Sequence, residues 1–268
     1  MAHWPRILYQ NIEGNKKMRK VDLNADMGES FGMYKLGHDE EFMEFITSAN
    51  VACGFHAGDP SVMKNTVTLA KKFNVQVGAH PGLPDLQGFG RREMKLTPEE
   101  IYDIVVYQVG ALKAFAETVG LRLHHVKPHG SLYGMAHRME DVAEAICRAV
   151  KDIDAEMFLY IMKKGVIAPL ADSMGIKTVF ELYSDLGYDA EGNLVITRAH
   201  DAHEPDPVAQ RVRRMVIDNS VTALDGTEVS IEGNSVCVHC DTPGAFDIVR
   251  AVRAALEQAG CELASPEM

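Results

Sequence analysis

Four histidines, His56, His80, His129 and His239, each close a short apolar run, and the carboxylates of Asp26 and Glu29 close another. Imidazole exchanges protons near neutral pH, and Asp26 or Glu29 beside a histidine could serve as the general base that activates water. Lys127 and His129 could stabilise an anion developing on a carbonyl or phosphoryl oxygen. Such a set suits hydrolysis of an amide or ester. It would serve a divalent metal held by Asp and His equally well, as in a metal-dependent deacetylase. The motifs H-E-x-x-H, G-x-S-x-G, G-x-x-x-x-G-K-[ST] and G-x-G-x-x-G are all absent, so zincin, serine-hydrolase, P-loop and dinucleotide-fold chemistries lack support.

Strand alternation sorts these residues, because positions i, i+2 and i+4 share a face. One face of the first run carries Asp22, Asn24 and Asp26, and of the second Asn50, Ala52, Gly54 and His56. The third gives Gly78 and His80, the fourth His125, Lys127 and His129, and the last Cys237, His239 and Asp241. Each set grows more polar towards its C-terminal end, the end at which βα loops converge on an active site. Asp22, Asn24, Asp26, His56, His80, Lys127, His129 and His239 are therefore expected at one mouth. Asp59 also fits the N-cap of the helix that Pro60 opens, Asp22 fits an anchor of barrel packing, and Arg91-Arg92 fits a solvated pair. His124, His137, His200 and His203 are read as structural. Burying several unpaired charges costs several kcal/mol each, so only a paired or functional cluster explains the whole set.

The elements that must position this cluster alternate. Candidate strands are 20–26, 49–55, 75–80, 123–127, 157–162, 178–183 and 235–240, separated mostly by helical patterns. Parallel βα units follow, closed into a barrel or laid out as a doubly wound sheet. Asp59-Pro60 opens one helix, Thr97 and Glu100 form a capping box for another that Gly120 stops, and Thr242-Pro243 opens a last one that Gly260 closes. Helices are also predicted over 138–150, 166–174 and 207–217. The stretch 186–205 is irregular, with a turn expected at Asp189, Gly192 and Asn193. Residues 1–17 read as a polar extension, and 18–268 as one catalytic barrel.

With 268 residues and 46% hydrophobic content the chain can bury a substantial core. No apolar run reaches the roughly 18 residues of a membrane span, and a net charge of -11 argues against nucleic acid or an anionic membrane as partner. Five scattered cysteines fit a reducing compartment, and the N-terminus lacks a signal peptide, so a cytoplasmic location is expected. Cys237 and Cys240 form a lone C-x-x-C inside a strand-like run, which suits neither a zinc ribbon nor a redox motif.

The stretches VDLNADMGESFG (21–32), SANVACGFHAGDPSVM (48–63), VGAHPGLPDLQGFGRR (77–92), YQVGALKA (107–114), HVKPHGSLY (125–133) and VCVHCD (236–241) resemble the LamB/YcsF family, the A subunits of the ATP-dependent prokaryotic 5-oxoprolinase. The resemblance runs from about residue 18 to about residue 260. It implies an irregular seven-stranded (β/α) barrel of the glycoside hydrolase/deacetylase type. It also implies an enzyme that consumes ATP to open the lactam of 5-oxoproline to L-glutamate, with partner subunits B and C. By motif position Asp26, Lys127 and His129 become catalytic candidates. Asn24, Glu29, Asn50, His56, Asp59, His80 and His239 become substrate-binding candidates. The sequence departs from the family at Leu186, where an arginine is expected, through the altered segment 184–206, and at Cys240, where glycine is common. Those departures leave a related lactam open as substrate. A metal-dependent deacetylase or carbohydrate hydrolase, and a non-catalytic binding protein for a related lactam, are the alternatives. A bound metal and a homo-oligomer are left open.

Overall fold

The computed structural model describes residues 18–195 and 202–268; the proposed extension 1–17 and His200 lie outside them. In chain order the elements are β1 (Arg19–Met27), α1 (Asp39–Phe42), β2 (Ser48–Ala52), α2 (Pro60–Phe73), β3 (Gln76–His80), α3 (Pro98–Thr118), β4 (His125–Val126), α4 (Gly130–Arg138), α5 (Glu140–Ile153), β5 (Phe158–Ile161), α6 (Ile167–Ser173), β6 (Thr178–Tyr183), β7 (Gly187–Tyr188), β8 (Leu194–Val195), α7 (Pro205–Ile217), β9 (Ser220–Thr222), β10 (Glu228–Ser230), β11 (Ser235–His239), α8 (Ala245–Gln258) and β12 (Cys261–Leu263). Seven parallel strands, β1 to β6 and β11, close on themselves because β11 pairs with both β6 and β1. That closure makes a barrel and removes the doubly wound alternative. β12 extends the sheet along the start of β1, pairing Arg19 with Cys261 and Val21 with Leu263.

All seven predicted strands are present, within a few residues at their ends. The capping box of Thr97 and Glu100 forms as predicted, and Gly120 and Gly260 follow their helices with left-handed φ of +74° and +78°. Three local expectations need correction. The helix expected over 138–150 is α5, and a separate α4 precedes it, begun at Gly130 without any side-chain cap. Thr242 does not open α8: its hydroxyl donates to Asp185 Oδ2 at 2.8 Å, and Gly244 takes the N-cap position. The irregular stretch contains the β7/β8 hairpin, with its turn at Asp189, Gly192 and Asn193 as expected.

Apolar side chains of the strands, such as Val21, Leu23, Ala25 and Met27 of β1, pack into the core shared with the helices. The opposite face lines the barrel, and it is polar. At its N-terminal end Asp22 accepts hydrogen bonds from Thr47 (2.6 Å), Ser48 (2.7 Å) and Ser235 (2.5 Å). Asp22 therefore belongs to the floor of the barrel and not to the mouth, with Asn24 standing between it and Asp26 on the same face. In the middle layer Asn50 donates to Asn24 (2.7 Å) and accepts from His125 (2.7 Å), whose ring stacks on Tyr160 at 4.0 Å.

Gly78 is required by this layer: a Cβ there would lie 2.1 Å from His125 Nε2. Gly78→Ala must displace His125 from Asn50 and is expected to destabilise the protein by about 1–3 kcal/mol. Urea unfolding would measure the loss, and an unchanged midpoint would contradict it.

Candidate active site

Parallel registry brings the candidates together. Asp26 of β1 lies level with Asn50 of β2 and His239 of β11, and Ala52 of β2 lies level with His80 of β3. Lys127 follows β4 directly, and His129 sits at the N-cap of α4.

Lys127 is the centre, only 2% exposed. Its ammonium lies 2.9 Å from Asp26 Oδ1, 3.2 Å from Glu181 Oε1, 3.1 Å from Cys237 Sγ and 3.4 Å from Asn24 Oδ1. Burial alone would strip its proton, but Asp26, Cys237 and Glu181 outweigh burial and hold the lysine pKa well above its usual value. Burial would likewise raise Asp26, yet His80, Lys127 and His239 keep its carboxyl well below the usual carboxylate range. Lysine has three protons to donate, and here the barrel uses all three. Lys127 thus holds Asp26 ionised, and it also lines the cavity at the mouth. Glu181 is absent from the sequence-derived set, although Val179, Glu181 and Tyr183 alternate in phase along β6.

His80 and His129 form a proton-sharing pair. His80 Nδ1 lies 2.7 Å from the Lys127 carbonyl, and His129 Nε2 lies 2.7 Å from the Phe89 carbonyl. Carbonyls only accept, so both nitrogens carry hydrogen. The remaining contact, His80 Nε2 to His129 Nδ1 at 2.9 Å, needs one more proton. Three protons on two imidazoles make one positive charge, and Asp26 Oδ2 lies 3.2 Å from His80 Nε2 to balance it. Burial, with His56 and His80 alongside, pushes the His129 pKa well down.

His56 stacks flat on His129, with centroids 3.7 Å apart, and neither ring nitrogen has a hydrogen-bond partner among the described residues. Its Nε2 is 3.7 Å from Glu29 Oε1. Burial lowers the His56 pKa, while burial, Asp241 and Asp26 push Glu29 well above the usual carboxylate range. Both shifts favour the uncharged forms of the two side chains. Asp59 is placed elsewhere: its carboxylate accepts from the backbone of Ser61 (2.8 Å), Val62 (3.0 Å) and Gly32 (2.7 Å). It caps α2, as the N-cap reading of the sequence expects, and ties down the loop after β1.

Over Asp26, His80 and His239 lies a cavity of about 30 Å³, roomy enough for a water molecule. Tyr133, Arg91 and Leu194 line both it and a cleft of about 910 Å³ whose wall carries Arg92, His137 and Arg138. Leu186, where the family expectation is arginine, gives the cavity an apolar wall. The nearby guanidinium of Arg211 donates to the carbonyls of Ser184 (3.1 Å) and Leu186. His239 Nδ1 is held at 2.9 Å by Asp185, a residue that sequence reasoning misses because it lies beyond β6, where alternation stops.

Ligand-capable atoms of Glu29, His56, His80 and His129 lie within 4.8 Å of one another, as do those of Asp26, Cys237 and His239. Either set could hold a divalent ion, the second one beside the Lys127 ammonium, which lies 2.9 Å from Asp26 and 3.1 Å from Cys237. The five cysteines are free and buried, and no described helix is long and apolar enough to cross a membrane.

The fold and the site define a closed seven-stranded (β/α) barrel with a lysine-centred acid–base cluster at its C-terminal mouth. The chain belongs to the LamB/YcsF family, which it matches over residues 21–268. It is 49% identical over 246 residues to a Pyrococcus horikoshii protein named as the A subunit of 5-oxoprolinase, covering 91% of this chain and 96% of that one. A protein of the same name from Bacillus licheniformis is 48% identical over 244 residues, covering 90% and 96%. The crystal structure of a lactam utilization protein from Thermus thermophilus superposes with a TM-score of 0.85 at 47% identity, covering 91% of this chain and 99% of that one.

Glu29 yields a pH test. Burial, Asp241 and Asp26 raise its pKa in the folded protein, so between the unfolded and the folded value the native state binds more protons. Stability must then fall as pH rises from the ordinary carboxylate range through the raised folded value. Glu29→Gln is expected to unfold at a higher urea concentration than the parent at pH 8, with the gap closing at pH 4. Equal midpoints at both pH values would contradict a raised Glu29 pKa.

Proposed function

We propose that this chain is the A subunit of an ATP-dependent 5-oxoprolinase, acting in the cytoplasm with subunits B and C to open 5-oxoproline to L-glutamate. The observation that carries this reading is the 49% identity across 96% of a relative named as the A subunit of 5-oxoprolinase. The site chemistry agrees with it. A five-membered lactam is a stabilised amide that resists water, and phosphorylation of its oxygen would make the ring carbon electrophilic. We assign that activation to the partner subunits and the addition of water to this one. An ionised Asp26 and a cationic His80–His129 pair flank a cavity with room for the attacking water. The wider cleft, with Arg91, Arg92 and Arg138 in its wall, suits an anionic lactam carrying carboxylate and phosphate. Leu186 narrows the choice towards a substrate with an apolar ring edge.

Reconstitution with subunits B and C tests the reading. Glutamate release from 5-oxoproline is expected to need both this chain and ATP. It should survive treatment of this chain alone with a chelator that is removed before magnesium and ATP are added. Release that is unchanged when this chain is omitted, or full turnover by this chain without ATP, would contradict the proposal. Loss of activity after chelation with recovery on added zinc would instead favour the metal-dependent deacetylase reading.

A further inference from the structure

His80 and His129 each donate their outer ring N–H to a backbone carbonyl, that of Lys127 at 2.7 Å and that of Phe89 at 2.7 Å. Metal-ligating histidines are held in the same way, with the remote nitrogen on a carbonyl or carboxylate and the other lone pair directed inward. The inner nitrogens, His80 Nε2 and His129 Nδ1, meet at 2.9 Å. Two lone pairs at that distance repel unless a cation lies between them, and a proton is the smallest cation that can do so. His56 is the third ring. Both of its nitrogens are buried without a hydrogen-bond partner among the described residues, a costly state unless something binds them. A Cβ on Gly82 would lie 2.5 Å from His56 Nδ1, so the backbone closes off that side and leaves Nε2 to face Glu29 Oε1 at 3.7 Å.

Ligand atoms of Glu29, His56, His80 and His129 lie within 4.8 Å of one another. Around a tetrahedral ion with bonds of about 2.0–2.2 Å such atoms are about 3.4 Å apart. A tilt of His56 off His129 and a rotation of Glu29 bring all four onto one ion. The surrounding charge favours this. Asp241, Asp26 and Asp39 all press on the Glu29 carboxyl and raise its pKa, which Arg91 opposes. A divalent cation relieves that crowding. The other cluster, Asp26, Cys237 and His239, already has the Lys127 ammonium 2.9 Å from Asp26 and 3.1 Å from Cys237, and it would repel a second cation.

We propose that Glu29, His56, His80 and His129 form a site for one divalent ion of the zinc and cobalt class, which three imidazoles and a carboxylate suit. The ligands bind through their lone pairs, so the hydrogen held between His80 and His129 passes to solvent as the ion enters. Ion and shared proton therefore exclude one another. The site itself does not depend on the lactam reading, whereas its effect on turnover rests on it. In that reading the cationic pair flanks the cavity that takes the attacking water. Zinc is then an inhibitor, and the metal-free chain is the working form.

Calorimetric titration of zinc alone into the full chain, stripped with chelator and desalted, should find one ion per chain. Cobalt alone should give the strong visible absorption of a four-coordinate ion, without a thiolate charge-transfer band. Glu29→Gln, which should fold at least as stably as the parent, is expected to weaken binding at least about 10-fold, since even outer-shell partners of metal ligands are worth about 10–100-fold. His56→Ala should do the same. No binding, an affinity unchanged in either variant, or a thiolate band that puts the ion on a cysteine would overturn the site. In the reconstituted complex zinc should slow glutamate release from 5-oxoproline, and the Glu29→Gln complex should need at least about 10-fold more zinc for the same fractional loss. A rate that saturating zinc leaves unchanged or raises would overturn the exclusion between ion and proton. If the parent complex releases no glutamate the lactam reading fails, and the titration and the cobalt spectrum still decide the site.

Discussion

The ion pair between Asp26 and Lys127 is the constraint on which the rest of the structure depends. Removing two charges from water costs several kcal/mol each, and their attraction offsets that cost only where every remaining proton and lone pair is satisfied. The barrel meets this condition by giving up the usual branched apolar interior of its class. Asn24, Asn50, Glu181 and Cys237 ring the pair, and Asp22 with its three hydroxyls supports Asn24 through Ser235. Polar side chains from the floor to the mouth therefore form one connected network. A change in its lower layers reaches the mouth through these bonds.

The pair also sets the electrostatics around it. An ionised Asp26 stabilises the extra proton shared by His80 and His129, and it raises both Glu29 and His239. The result is a mouth with opposed functions in one small volume: a cationic imidazole pair, a carboxyl group whose pKa is raised well above its usual range and a carboxylate-held histidine. Environments that push neighbouring titratable groups apart in this way are the usual means of running acid and base steps at one pH.

Much of this is legible in the sequence, because strand alternation has period two and survives errors of a residue or two in strand ends. It places Asn24, Asp26, His80, Lys127 and His239 on the barrel face without structural information. Alternation says nothing about height along the barrel, which is why it groups Asp22 with the mouth. It also stops where the strand stops, so Asp185 carries no periodic signal, whereas Glu181 does carry one. Asp59 presents two readings with one residue type, an N-cap and a ligand, and only the three backbone N–H groups around it decide between them. The donor inventory of Lys127 is likewise invisible in the sequence, because it depends on β6 and β11 closing around a residue that follows β4. α4 lacks a start signal since His129 offers it no side-chain cap, and β12 is only three residues long.

The most direct measurement is a double-mutant cycle on unfolding free energy with Asp26→Asn, Lys127→Met and the pair combined. If the buried ion pair organises the barrel, the double variant should be less destabilised than the sum of the singles, by about 1.5–3 kcal/mol. Single effects that add to within about 0.5 kcal/mol would mean that the two residues act independently and that the pair is not the organising interaction.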